Sequence, residues 1–235
     1  MTSPPRPRAA RHPLVTLAIA LAVTALDAAL LAVALGGVPS LLAHARALAL
    51  IAIWGAGSLV LGLLHPARWV DGAERISSGR LVMIALFAIP LLTPPLAAWG
   101  ERAGIWPLPG GVALGWSGVA IAGLGLALRI VAIVRLGSRF TPVPAIQRDH
   151  VLETGGVYAA VRHPGYAGAW LANLGAALAF GSAVGLVGVL LMSLALELRT
   201  RREEALLGAH FGEEYRRYRA RTGRVFPRFG FRGER

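Results

Sequence analysis

The sequence predicts an all-α, polytopic integral membrane protein: four spanning helices, then a C-terminal membrane helical hairpin, with a polar loop and a polar tail on the cytoplasmic face. Three observations predict it. Hydrophobic residues make up 55% of the 235 residues and charged residues only 15%, which is more apolar surface than a water-soluble fold of this size buries. Four apolar runs are long enough to cross a hydrocarbon core, which takes about 20 residues of helix. All 24 basic side chains are Arg, with no Lys, and they collect at the ends of those runs.

The four runs are residues 14–35, 47–64, 81–99 and 112–134. A fifth, 167–198, is 32 residues long; as one helix it would measure roughly 48 Å, well beyond a ~30 Å core. Gly181-Ser182 interrupts it, so it reads as two short helices that enter the bilayer tilted or partway and return to the same side. Arg placement supports this topology. Arg6, Arg8 and Arg11 precede the first span, Arg68, Arg75 and Arg80 lie between the second and third, and Arg135, Arg139, Arg148 and Arg162 follow the fourth. Eleven more follow residue 198, whereas the opposite loops offer little beyond Arg46 and Arg102. By the positive-inside rule both termini are cytoplasmic, and the location is a bacterial-type plasma membrane.

Residues 1–13 read as a disordered basic N-terminus, 14–135 as membrane helices 1 to 4, and 136–235 as the functional region of loop, hairpin and tail. A rival reading makes the first span a secretory leader, with "RPRAARH" as its basic region and "AVA" at 32–34 as its cleavage site. A 22-residue apolar run is long for such a leader.

Composition excludes several function classes. The formal charge of +12 would suggest nucleic acid in a soluble protein, but no binding module accompanies it, and contact with anionic headgroups accounts for it. Zero Cys removes disulfides, iron–sulfur clusters and thiol catalysis. There is no metal-ligand spacing, Walker loop, dinucleotide fingerprint or Ser-centred elbow. "GLGLAL" at 123–128 lies inside a span and is a packing feature.

Chemistry concentrates after Gly137. In "RHPGY", Pro164 biases His163 away from helix and opens the helix that begins near Tyr166. The free N–H groups of that helix, with Arg162 and His163, can receive a carboxylate or phosphate; the alternative is an Arg162 that snorkels to headgroups. Where the hairpin emerges, Arg199 and Glu203 share a helix face, beside Glu204. They are either an ordinary surface pair or carboxylates retained at the membrane boundary to take hydroxyls or a cationic ligand. Tyr158, Tyr166, Tyr215 and Tyr218 admit two roles, interfacial anchors or ligand contacts. Asp27 and Arg129 lie within predicted spans, and an intramembrane charge is a functional candidate by default; Arg129 is close enough to the cytoplasmic end to snorkel, while Asp27, nearer the middle with no obvious sequence partner, is a candidate for a substrate pocket.

"GGVYAAVRHPGYAG", an apolar hairpin and then "RTRREEALLGAHFGEEYRRYRARTGRVFPRF", preceded by "LGSRFTPVPAIQRDHVLETGG", resemble the C-terminal signature of the isoprenylcysteine carboxyl methyltransferases and of the related phospholipid N-methyltransferases. The resemblance covers about residues 136–229, and the first three spans match only in being apolar. R-H-P-x-Y alone is weak; followed by R-x-x-x-E-E-x-x-L and F-G-x-x-Y-x-x-Y it is specific. The resemblance implies a membrane methyltransferase that encloses S-adenosylmethionine between loop and tail on the cytoplasmic face. By position it implies a cofactor site of Arg162, His163, Tyr166, Glu203 and Glu204, with Tyr158, Tyr215 and Tyr218 nearby. It also implies catalytic roles for Arg162, Glu203 and Arg199, the last supporting Glu203 or meeting an acidic group. A sulfonium methyl is already activated, so displacement depends on alignment and exclusion of water. The acceptor would be a lipophilic or small molecule, most simply a carboxylate, entering laterally from the lipid bilayer. Two other readings stay open: a non-catalytic membrane scaffold that binds a partner, and a membrane reductase of the sterol-reductase type, which would need a nicotinamide site.

Overall fold

The computed structural model describes residues 13–64, 74–75, 80–137, 145–146 and 151–228. The predicted disordered segment 1–13, Pro13 excepted, and most of the loop 138–150 with Arg139 and Arg148 lie outside the described residues, as does Arg68. The helices are α1 (Pro13–Leu35), α2 (Val38–Ala43), α3 (Ala45–Leu64), α4 (Arg80–Arg102), α5 (Gly111–Leu136), α6 (Pro164–Ala179), α7 (Val184–Phe211) and α8 (Glu213–Arg221). Two-residue strands β1 (Glu74–Arg75) and β2 (Ala145–Ile146) pair antiparallel and join the two near-end loops.

Among the described residues four helices are long and apolar enough to cross a membrane: Leu17–Leu35, Ala45–Leu64, Arg80–Arg102 and Gly111–Leu136. Each of the four predicted spans is there, with ends within a few residues. The fifth apolar run forms two helices, α6 and α7, separated by the turn that holds Gly181 and Ser182. They pack antiparallel: Tyr166 meets Glu203 and Trp170 meets Ser193. The second of them departs from the expected short helix. α7 runs 28 residues, because "ELRTRREEALLGAHF" continues the helix past the apolar stretch. It ends where Gly212 takes φ 52, a backbone state that glycine adopts without strain.

The helix pair α5 and α6 packs closest. A Cβ on Gly118 would stand 2.7 Å from Gly175 O, and one on Gly125 2.7 Å from Gly168 O. A reciprocal Cβ on Gly168 would stand 2.5 Å from Gly125 O. Small residues seven apart on both helices let the backbones touch, as membrane interfaces require in the absence of a hydrophobic driving force. This is the packing role expected for the 123–128 stretch, carried by Gly125.

The buried core is displaced to one end. Leu31, Leu35, Leu50, Ala97, Ala98, Val119, Ala122, Ala176 and Phe180 cluster where α1, α4 and α6 finish and α3 and α5 begin. There Arg46 Nη2 donates to Glu101 Oε1 at 2.5 Å and Arg46 Nη1 to Ala179 O at 2.8 Å, while His44 Nε2 lies 3.0 Å from Glu101 Oε2. We call this the far end. Toward the near end α1 and α4 loosen: among the described side chains none is fully buried before Leu31 on α1 or before Thr93 on α4.

Candidate active site

Backbone geometry assembles the near end first. Val161 and Gly223 form a parallel bridge. Arg162 N donates to Gly223 O at 2.9 Å, His163 N to Arg224 O at 3.0 Å, and Gly223 N to Ala160 O at 3.1 Å. The tail that leaves α8 is thus stitched to the segment that enters α6. α6 starts at Pro164, two residues earlier than expected, with His163 as its extended N-cap; proline at that position lacks only an N–H that would be orphaned anyway.

Adjacent carboxylates on α7 then separate in fate, because consecutive helical residues point about 100° apart. Glu204 turns to the tail. Arg162 Nε donates to Glu204 Oε1 at 2.7 Å, Arg224 Nε lies 3.3 Å from Oε2, and His163 Nε2 lies 3.5 Å from Oε1. Burial pulls its carboxyl up, but the His163 imidazole 3.5 Å away and the hydrogen-bonded Arg162 guanidinium hold it down at about 2. Arg162 Nη1 donates in addition to Arg219 O at 3.2 Å and to Thr222 O. The guanidinium expected to receive an anion is therefore occupied by Glu204 and two tail carbonyls.

Glu203 turns the other way. Tyr166 Oη donates to Glu203 Oε2 at 2.9 Å and accepts from Arg199 Nε at 3.1 Å. His163 Nδ1 is 3.8 Å from Glu203 Oε1, too far for a hydrogen bond. The Glu203 side chain is 23% exposed against 4% for Glu204. Arg199, almost wholly buried, also reaches Met83 Sδ on α4 at 3.3 Å. The i, i+4 pairing of Arg199 with Glu203 is replaced by a bridge through Tyr166, whose ring stacks on His163 at 5.6 Å between centroids.

The remaining tyrosines build the wall. Tyr218 Oη donates to Tyr158 O at 2.7 Å and Tyr158 Oη to Ala132 O at 3.3 Å. Tyr215 meets Tyr218 edge to face, and its buried hydroxyl has no hydrogen-bond partner. Burial pushes the Tyr218 phenol up to about 12, so it stays a neutral donor.

Arg224, which the sequence did not single out, and Arg129, which it named without a role, lie beside these residues. Arg224 ties Glu204 to Glu197, donating from Nη1 to both Glu197 oxygens at 2.7 and 2.8 Å. Arg129, a span charge of unassigned role, donates to Gly165 O at 3.0 Å. Among the described residues no carboxylate lies within ion-pair distance of it. The signal available was its position: an Arg inside a span marks a site more often than a lipid face. Among the described residues no group of three His, Cys, Asp or Glu could hold a metal.

Comparison with known proteins converges on the same segment. Residues 118–209 match the model of the isoprenylcysteine carboxyl methyltransferase (ICMT) family. The protein-S-isoprenylcysteine O-methyltransferase of Schizosaccharomyces pombe is 39% identical over 110 residues, 44% of this chain and 45% of that protein. That of Rattus norvegicus is 34% identical over 114 residues, 47% of this chain and 40% of that protein. The probable protein-S-isoprenylcysteine O-methyltransferase of Oryza sativa subsp. japonica is 26% identical over 184 residues, 77% of this chain and 93% of that protein. The aligned stretch thus spans less than half the length of the fungal and rat relatives. It contains α6 and most of α7, with Arg162, His163, Tyr166, Arg199, Glu203 and Glu204. Through this segment the chain is similar to the isoprenylcysteine carboxyl methyltransferase family.

Proposed function

We propose that this protein is a membrane methyltransferase that uses S-adenosylmethionine and methylates the carboxylate of a lipophilic acceptor at the cytoplasmic face. The observation that carries the reading is Glu203 within the matched segment: a part-exposed carboxylate whose one hydrogen bond among the described residues comes from a neutral phenol, so its charge is available to a ligand. A second supports it: among the described residues the buried His163 Nε2 has no hydrogen-bond partner, lying 3.5 Å from Glu204 Oε1. An orphaned buried donor or acceptor costs about 1–3 kcal/mol, which a bound polar ligand recovers.

These residues fit the cofactor. Glu203, Tyr166 and His163 would hold its polar and cationic parts, with Tyr158, Tyr215 and Tyr218 as the wall and the Arg162–Glu204 clasp keeping the tail closed over it. The group supplies an activated methyl on a sulfonium; the chain supplies the rest. An acceptor carboxylate is ionised at neutral pH and needs no general base. Arg129, lacking a carboxylate of its own, would draw that group to the level of Tyr166. Arg199, fixed by Met83 and the Tyr166 hydroxyl, holds the phenol that orients Glu203. Alignment and exclusion of water then supply most of the rate.

In this reading α6 and the apolar half of α7 enter the bilayer and return, the near end faces the cytoplasm with both termini, and the loosened near halves of α1 and α4 admit the acceptor from the side. The membrane is a bacterial-type plasma membrane. The test is calorimetric titration of purified protein with S-adenosylhomocysteine, with methyl-ester formation on an isoprenylated cysteine as the activity. Micromolar binding, reduced about 100-fold in Glu203→Gln, is expected; no binding to folded protein overturns the reading.

A further inference from the structure

Asp27 sits in α1, outside the family segment, and the site described above does not use it. It shares one face with Thr24 and Leu31, three and four residues away. That face looks inward: Thr24 Cγ2 stands 3.4 Å from a Cβ placed on Gly55 of α3, and Leu31 is fully buried. Asp27 is half-buried, and among the described residues no hydrogen bond or ion pair engages it. The ionisable side chains described on α3 and α4, which pack against α1, are Arg46, Arg80, Glu101 and Arg102, and all stand at helix ends. Arg46 and Glu101 are committed to each other.

A carboxylate at this depth is costly and is retained when something pairs with it. Among the described residues none is placed to pair with it, and the bundle is loosest on the near side of Asp27, where no described side chain of α1 before Leu31 is fully buried. Helix contacts set its level. Ile53 and Gly57 on α3 meet Gly123 and Leu126 on α5, so Gly55 and Thr24 lie level with Gly125, which touches Gly168. Asp27 is one turn farther in, and Arg129 and Tyr166 one turn toward the near end; the axial separation is about 10 Å.

We propose that Asp27 is a second recognition point for the acceptor, taking an amine carried about 10 Å from the group that reacts. Arg129 and Asp27 form two poles of opposite charge, each without an ionic partner among the described residues. The polarity selects an amphiphile that is anionic at the reacting end and cationic deeper in, and disfavours a plain hydrocarbon chain. The inference rests on the methyltransferase reading for the word acceptor, but the amine site is measurable without catalysis.

The test uses the full chain in nanodiscs of zwitterionic lipid, with dodecylamine and dodecanol as probes and binding read by calorimetry. The amine is expected to bind about tenfold more tightly than the alcohol, and Asp27→Asn to reduce that preference to below about twofold while S-adenosylhomocysteine affinity stays unchanged. Asp27→Glu keeps the charge and should retain a preference, which decides the matter if the Asn variant does not fold. Equal binding of amine and alcohol to the wild type, or a preference that survives Asp27→Asn, overturns the proposal. Loss of S-adenosylhomocysteine binding to the wild type would instead remove the methyltransferase reading and leave the amine result standing.

Discussion

Both ends of the bundle hold a carboxylate between an arginine and a histidine. At the far end Glu101 has Arg46 at 2.5 Å and His44 at 3.0 Å; at the near end Glu204 has Arg162 at 2.7 Å and His163 at 3.5 Å. Each arginine also donates to a backbone carbonyl, Ala179 O at one end and Arg219 O at the other. As motifs they are nearly the same, and each ties segments remote in sequence. The difference is one residue. The near end adds Glu203, with a phenol for partner and almost a quarter of its side chain exposed. A carboxylate with a full set of cations is a tie, and one left with a neutral donor is a place for a ligand.

The largest effect should follow from breaking the near tie. Glu204→Gln leaves the buried Arg162 without its anion and should destabilise the chain by about 3 kcal/mol. The tail from Thr222 onward should then become protease-sensitive. The same clasp has a definite pH window. Its folded carboxyl lies at about 2 against an ordinary 4.5, a depressed value, so its stabilising contribution is complete above the ordinary value. It is lost as pH falls from there toward 2. Tail proteolysis should therefore be flat above pH 5 and rise only in that acid window; a transition near neutrality would contradict the assignment.

Next in size is Glu203→Gln, which should reduce S-adenosylhomocysteine binding about 100-fold, or near 2.7 kcal/mol, with little change in thermal stability. If instead stability falls and binding holds, the two neighbouring carboxylates have exchanged roles. Gly125→Ala, tested by thermal unfolding in detergent, should cost about 1–3 kcal/mol because the new methyl meets α6 backbone that cannot move aside. The smallest effect belongs to the far end. Glu101→Gln removes charge from a partly exposed pair and should cost about 1 kcal/mol while leaving ligand binding unchanged, which would separate tie from site most cleanly.

The candidate site was partly legible. Arg162, His163, Tyr166, Arg199, Glu203 and Glu204 stood out because a membrane boundary is an expensive place for charges, and the structure brings all six together. What each one touches was not legible. Arg162 read as an open anion receptor because the helix N-terminus beside it is local in sequence, whereas Glu204, Arg219 and Thr222, which occupy it, are 42, 57 and 60 residues away. The Glu101 tie went unread for the same reason, since Arg46 and Glu101 are 55 residues apart.

By itself the sequence determined the four spans, the break between α6 and α7 and the segment in which polar chemistry gathers. These depend on hydropathy, on where charge can sit and on proline and glycine geometry, all properties of short stretches. Only the tertiary structure decided that Glu204 closes the tail while Glu203 stays part-exposed, that Tyr166 stands between Arg199 and Glu203, and that Asp27 looks inward with no partner among the described residues. Those outcomes depend on the rotation of each helix about its axis. Backbone contact between the α5 and α6 glycines fixes that rotation for one pair, and the Val161–Gly223 bridge fixes how the tail meets it; neither is a property of any one stretch of chain.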